Sequence, residues 1–129
     1  MYIKSTRAVL LWAAFFGFAG VALGAFAAHA LKQALNAYSL GVLRTGLDYQ
    51  LWHVPVLLWL ASAIKLWPHR FWLLAANLFI AGLVLFCGSL YLIAFGAPRW
   101  LGAVTPLGGL LMLAAWLTLA WAVLKHREL

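Results

Sequence analysis

Long stretches without a charged residue constrain this chain more than any other feature. Ala8–Ala28, Phe71–Pro98 and Trp100–Leu124 contain no Asp, Glu, Lys or Arg. Each is longer than the ~20 apolar residues a helix needs to cross the hydrocarbon core of a bilayer. Of the 129 residues, 67% are hydrophobic and 9% charged, whereas ordinary soluble domains are about half apolar and about a quarter charged. A chain this short cannot hide so much apolar surface from water, so its solvent is expected to be lipid. A fourth run, Tyr49–Ile64, lies between Asp48 and Lys65. Its 16 residues make about 24 Å of helix at 1.5 Å per residue, short of the ~30 Å core. A helix that begins earlier, near Ser39, solves the mismatch. It also brings Arg44 and Asp48 four residues apart on one side, where they can neutralise each other at the rim. Pro55 falls inside this span, where membrane helices tolerate it.

The expected fold is therefore an all-α integral membrane protein: a four-transmembrane-helix bundle in one domain, residues 1–129. The spans lie near 8–28, 47–66, 71–95 and 103–124. Around KQALNAYSLGVL, the apolar Leu31, Leu35, Tyr38 and Val42 recur at helical spacing, which predicts a short amphipathic helix between the first and second spans. The remaining links are short, so consecutive spans should be antiparallel neighbours. Lys4 and Arg7 before an apolar run imitate a secretory signal, but 21 residues exceed the ~7–15 of a signal core, and the run is taken as an uncleaved span.

The net charge of +7 does not indicate nucleic acid, because the nine basic residues are scattered and form no stripe. They report orientation instead. Lys4, Arg7, Lys65, Arg70, Lys125 and Arg127 fall on one side; Lys32, Arg44 and Arg99 fall on the other. The richer side is expected to be cytoplasmic, with both termini inside. Trp12, Trp67, Trp72, Trp100 and Trp121 fall near span ends, as interfacial tryptophans do. Along the first span Ala13, Gly17, Gly20, Gly24 and Ala28 form a small-residue stripe against which another helix can pack, in this chain or in a second copy. In the third span Asn77, Ala81, Val84, Gly88 and Tyr91 share a stripe expected to face inward, since polar groups avoid lipid. Thr105 and Pro106 suit the opening turn of the fourth span, as cap and first-turn residue.

Chemistry has one obvious location, the stretch DYQLWH at 48–53. At 100° per residue, Tyr49, Gln50 and His53 fall within one arc, while Asp48 points toward Arg44. With His29, Ser89 and Tyr91 at a similar depth, these residues could form an outward-facing polar pocket for a small ligand, lipid headgroup or ion. The alternative is that His53 hydrogen-bonds within the protein and only fixes packing. Specific chemistries lack their residues. His29 and His53 could bind haem or copper, but no CxxCH accompanies them. The lone Cys87 excludes a CxxC knuckle and reads as a small core residue. No Ser–His–Asp arrangement can be built around the one internal acid. Spans one, three and four lack the carboxylate that a proton-coupled exporter usually places in the membrane. No catalytic residue, metal or cofactor is expected.

GAFAAHAL (24–31), YQLWH (49–53), GSLYLIA (88–94) and TPLGG (105–109), in this order and spacing, resemble the motifs of the YgdD-like family of small inner-membrane proteins, a domain of unknown function. Ala27 replaces a glycine expected in the first motif. The resemblance covers essentially the whole chain. It implies a four-span protein of the bacterial inner membrane and carries no established activity. Two functional classes remain: a non-enzymatic ligand-binding membrane protein, or an accessory subunit of a larger membrane complex. The expected partners are the bilayer and either a second copy or a complex partner.

Overall fold

A computed structural model describes residues 4–126, and these are almost entirely helical. Arg127, used above in the charge count, and the acidic Glu128 lie outside the described residues. The elements are α1 (Thr6–Ala28), α2 (Ala30–Ala34), α3 (Ala37–Leu66), α4 (Arg70–Ala94), a 3-10 turn (Arg99–Ala103) and α5 (Thr105–Lys125). α1, α4 and the Arg99–Lys125 stretch are long and apolar enough to cross a membrane. α3 is longer, at 30 residues or about 45 Å, but carries Arg44, Asp48, Gln50, His53 and Lys65.

Local chemistry sets the helix ends. Ser5 Oγ accepts from Ala8 N–H at 3.3 Å to start α1. Asn36 Oδ1 accepts from Ser39 N–H at 2.8 Å to start α3. Such caps satisfy donors that the first helical turn leaves orphaned. His69 does the same for α4, its Nδ1 accepting from Phe71 N–H at 3.3 Å. α4 is closed by Gly96, whose φ of +97° favours a residue without Cβ. α5 opens with Pro106 in its first turn, but Val104 holds the cap position and no side chain caps it. Thr105, expected as a cap, is instead the first helical residue.

The expected amphipathic helix does not form as one unit. Asn36 restarts the helix, and nothing between it and Asp48 stops it. Tyr38 and Val42 therefore belong to α3, and only five residues remain as α2. α3 then runs through Pro55 without interruption.

The four long helices pack antiparallel in chain order: α1 on α3, α3 on α4 and α4 on α5. Gly17 faces Val54 and Gly20 faces Leu51, so α1 ascends as α3 descends. Gly46 against Tyr91 and Trp59 against Trp72 fix the α3–α4 pairing. Gly108 against Phe86 and Phe79 against Trp116 fix α4–α5. α1 and α5 form no comparable pairing, so the four long helices pair as an open row. Antiparallel order places Arg7, Lys65, Arg70 and Lys125 at one end and Lys32, Arg44 and Arg99 at the other.

α4 lies deepest, burying Trp72, Ala75, Ala76, Phe79, Ile80, Leu83 and Cys87. Two expectations fail on it. Ala81 and Val84 are exposed, so the Asn77 stripe is not the inward face. Asn77 donates to Leu73 O at 2.8 Å, which lets an Asn satisfy itself on its own helix. Trp72, expected in an interfacial belt, is 0% exposed and meets Trp59 edge-on at 5.6 Å. Position near a helix end says nothing about which face a ring occupies. Trp100, at 68% exposure, does lie on the surface. Cys87 is core, its Sγ 3.3 Å from Gly46 O.

The small-residue stripe of α1 is used unevenly. A Cβ on Gly20 would stand 2.6 Å from Leu51 Cδ2, one on Gly17 would make ordinary contact with Val54, and one on Gly24 would meet nothing within 4 Å. Gly24 is thus not a packing residue within this chain. Gly20→Leu should cost about 1–2 kcal/mol, less than the worst overpacking because half-exposed Leu51 can swing outward. Gly24→Leu should leave the melting temperature in detergent near wild type. Equal loss for both variants would mean that the stripe acts as a unit in another interface.

Candidate functional site

α3 presents its polar residues to different neighbours. Gln50 and His53 are both buried, but the helical arc that holds them faces two sides.

Gln50 looks toward α1 and α4. Its Nε2 donates to Phe16 O at 2.7 Å, and its Oε1 accepts from Tyr91 O–H at 2.8 Å. One side chain thereby links three helices. Gly46, one turn earlier, makes room for the Tyr91 ring, since a Cβ there would lie 2.6 Å from Tyr91 Cε1.

His53 looks toward α4 and α5. Its Nδ1 is 2.6 Å from Tyr49 O, and its Nε2 is 3.3 Å from Trp116 Nε1. A carbonyl only accepts and an indole N–H only donates. Nδ1 therefore carries the proton and Nε2 accepts from Trp116. Both ring nitrogens are committed to protein partners. Tyr49 stacks on this ring at 6.4 Å and 18°, Phe79 packs at 5.3 Å, and Phe86 lies 4.7 Å from Tyr49.

Beside this aromatic group is an open cleft of about 240 Å³ between α3 and α5. Tyr49 and His53 line one wall, Phe86 the floor, and Gly109, Met112 and Trp116 the other wall. The Tyr49 hydroxyl has no hydrogen-bond partner among the described residues. TPLGG explains the shape. Gly108 lets the α5 backbone close onto α4 at Phe86, and Gly109 leaves ordinary van der Waals room for the Phe86 ring.

The six expected pocket residues thus separate. Tyr49 and His53 line the cleft. Gln50 and Tyr91 form the buried link on the other side of α3. Ser89 donates to Phe86 O at 2.9 Å and pairs with Thr105 Oγ1 at 2.6 Å; with the serine proton so placed, Thr105 donates. His29 is exposed at the end of α1, in a shallow depression with Ala28, Lys32 and Gln33. Arg44 and Asp48 are both exposed and form no ion pair. An exposed pair of this kind gains little against side-chain entropy. No group of three or more His, Cys, Asp or Glu gathers as a metal site among the described residues.

The sequence reading missed Trp116, Phe86, Gly109 and Met112. Trp116 had a usable signal. It lies near the middle of an apolar helix, far from either interface, where an indole N–H needs a partner, and His53 is at matching depth on α3.

Fold and site together define a small, all-helical membrane protein with an open cleft between α3 and α5. The comparison with known proteins makes the assignment particular. Residues 23–109 match the family model described as protein of unknown function (DUF423), and the chain belongs to this family. It is 42% identical over 114 residues to a UPF0382 membrane protein of Haemophilus influenzae, covering 88% of this chain and 90% of the relative. It is 41% identical over 126 residues to the UPF0382 inner membrane protein YgdD of Escherichia coli K12, covering 96% and 95%. The membrane protein YwdK of Bacillus subtilis is 38% identical over 107 residues, covering 82% and 87%. No solved structure matches the chain.

Proposed function

We propose that the protein is a non-enzymatic, four-span inner-membrane protein that binds a small, largely apolar ligand in the cleft between α3 and α5. α3 supplies the fourth span, its first two turns standing clear of the hydrocarbon. Both termini are cytoplasmic, because Arg7, Lys65, Arg70 and Lys125 share one end. The observation that carries the reading is the cleft beside His53. Apolar and aromatic walls with one free hydroxyl, Tyr49, suit a ligand that is mostly hydrocarbon. They suit an ion poorly, since His53 has already spent both nitrogens.

Native mass spectrometry from digitonin, whose rigid rings do not mimic an alkyl chain, tests this with myristyl alcohol as probe. Wild type should retain one molecule. Gly109→Leu, which sends a side chain into the cleft from a position with van der Waals room, should lose it, while Gly109→Ala keeps it. Absence of binding to wild type would refute the reading, as would equal binding to Gly109→Leu.

A second reading, an accessory subunit of a membrane complex, is favoured by the open row of helices. It leaves apolar flanks on α1 and α5 that a partner or a second copy could cover. Gentle purification from native membranes with mass spectrometry discriminates the two: a co-purifying protein supports it, a lone monomer counts against it.

A further inference from the structure

A second cavity, of about 360 Å³, continues the cleft toward the end that carries Arg99. Tyr38, Val42, Leu90, Gly102 and Thr105 line it, and Phe86 lines both. The two cavities therefore meet at the Phe86 ring and follow one seam, between α3 and α5, over the floor of α4. From Thr105 at the top to Trp116 at the bottom the seam is about 16 Å long at 1.5 Å per residue. A groove of this length suits an extended chain that follows the seam.

The mouth is cationic. Arg99 begins the 3-10 turn that also supplies Gly102, and its guanidinium lies 5.2 Å above the Tyr38 ring. Arg99 is exposed and has no carboxylate partner among the described residues. Asp48 is the only acid among them. A guanidinium held over a ring at the lip of an apolar slot, with five donors and no counter-anion, is matched by an anionic head followed by a hydrocarbon tail.

We propose that this seam binds a single-chain anionic lipid, its head on Arg99 and its tail running past Phe86 to the hydrogen-bonded His53–Trp116 pair. The proposal rests on the ligand-binding reading above and adds the head-group chemistry and the polarity of entry. Tyr38 presents the guanidinium, and Thr105, whose proton goes to Ser89, offers only lone pairs and does not compete for the anion. Phe86 divides head region from tail region, so the chain must displace or skirt its ring. Phe86 can turn because Gly109 opposite it has no side chain.

The test compares myristyl phosphate with myristyl alcohol, the same tail with and without the charge, by native mass spectrometry from digitonin. In wild type the phosphate should bind about tenfold more tightly, the scale of one hydrogen bond to a charged group. Arg99→Gln should abolish that preference by weakening the phosphate alone. Arg99→Lys should restore part of it. If the two probes bind wild type equally, or if Arg99→Gln keeps the preference, the head-group assignment is wrong while the apolar cleft stands. If neither binds, both readings fall.

Discussion

Gly108→Ala is expected to be the most damaging small substitution in the chain. The added methyl would collide with the backbone N and Cα of Phe86 and stand 2.8 Å from Gly82 O. These are main-chain atoms of α4 and cannot swing aside. Gly82 faces the same crossing, where a methyl would stand 2.9 Å from Gly108 O. Two helices that meet backbone to backbone depend on such residues, because lipid supplies no hydrophobic drive to hold them. Separating them to admit a methyl loosens much of the α4–α5 interface, so the cost should reach the upper end of overpacking, about 3 kcal/mol or more. Thermal unfolding in detergent should show a large fall in midpoint or no folded material. Gly88→Ala is the control. A methyl there meets nothing within 4 Å and should be neutral or slightly stabilising, by the roughly 0.5–1 kcal/mol that Ala gains over Gly in a helix. Parity between Gly108→Ala and Gly88→Ala would mean that α5 does not lie on α4 as described.

Gln50→Leu should be nearly as costly, for an electrostatic reason. It strands the Tyr91 hydroxyl in an apolar interior and removes the donor to Phe16 O. An orphaned buried polar group costs about 1–3 kcal/mol. Tyr91→Phe alone leaves Gln50 Oε1 orphaned, at similar cost. The double variant Gln50→Leu/Tyr91→Phe removes both halves and should recover about 1 kcal/mol relative to the sum of the singles, within the range measured for polar pairs in membrane proteins. Strict additivity would show that the Gln50–Tyr91 bond contributes nothing specific. Ligand binding separates this link from the cleft: Tyr91→Phe should leave myristyl alcohol binding intact, since Tyr91 does not line the cleft beside His53.

Much of the fold could be read from the sequence, because lipid is a stringent solvent. The uncharged runs marked three helices to within a few residues, and the short fourth run, too short for a bilayer, correctly pointed to an earlier start for α3. Features that depend on which face meets which neighbour were not legible. Tyr49, Gln50 and His53 do share an arc, but α3 touches α1, α4 and α5, so one arc serves two neighbourhoods. Trp72 and Trp100 have similar positions near helix ends and opposite exposures. Gly20 and Gly24 belong to one stripe, yet only Gly20 opposes a side chain. Spacing gives an angle; the identity of the facing helix comes only from packing.

The open row has a consequence for how the molecule forms. Each long helix takes its main partner from its immediate sequence neighbours, so contact order is low and little loop-closure entropy opposes pairing. α1 can settle on α3 as a helical hairpin before α5 exists in the membrane. The Trp116–His53 bond joins elements two steps apart and must wait for the last helix. The wall of the cleft is therefore completed at the end of assembly, and a chain arrested before α5 would have a paired core with no binding seam.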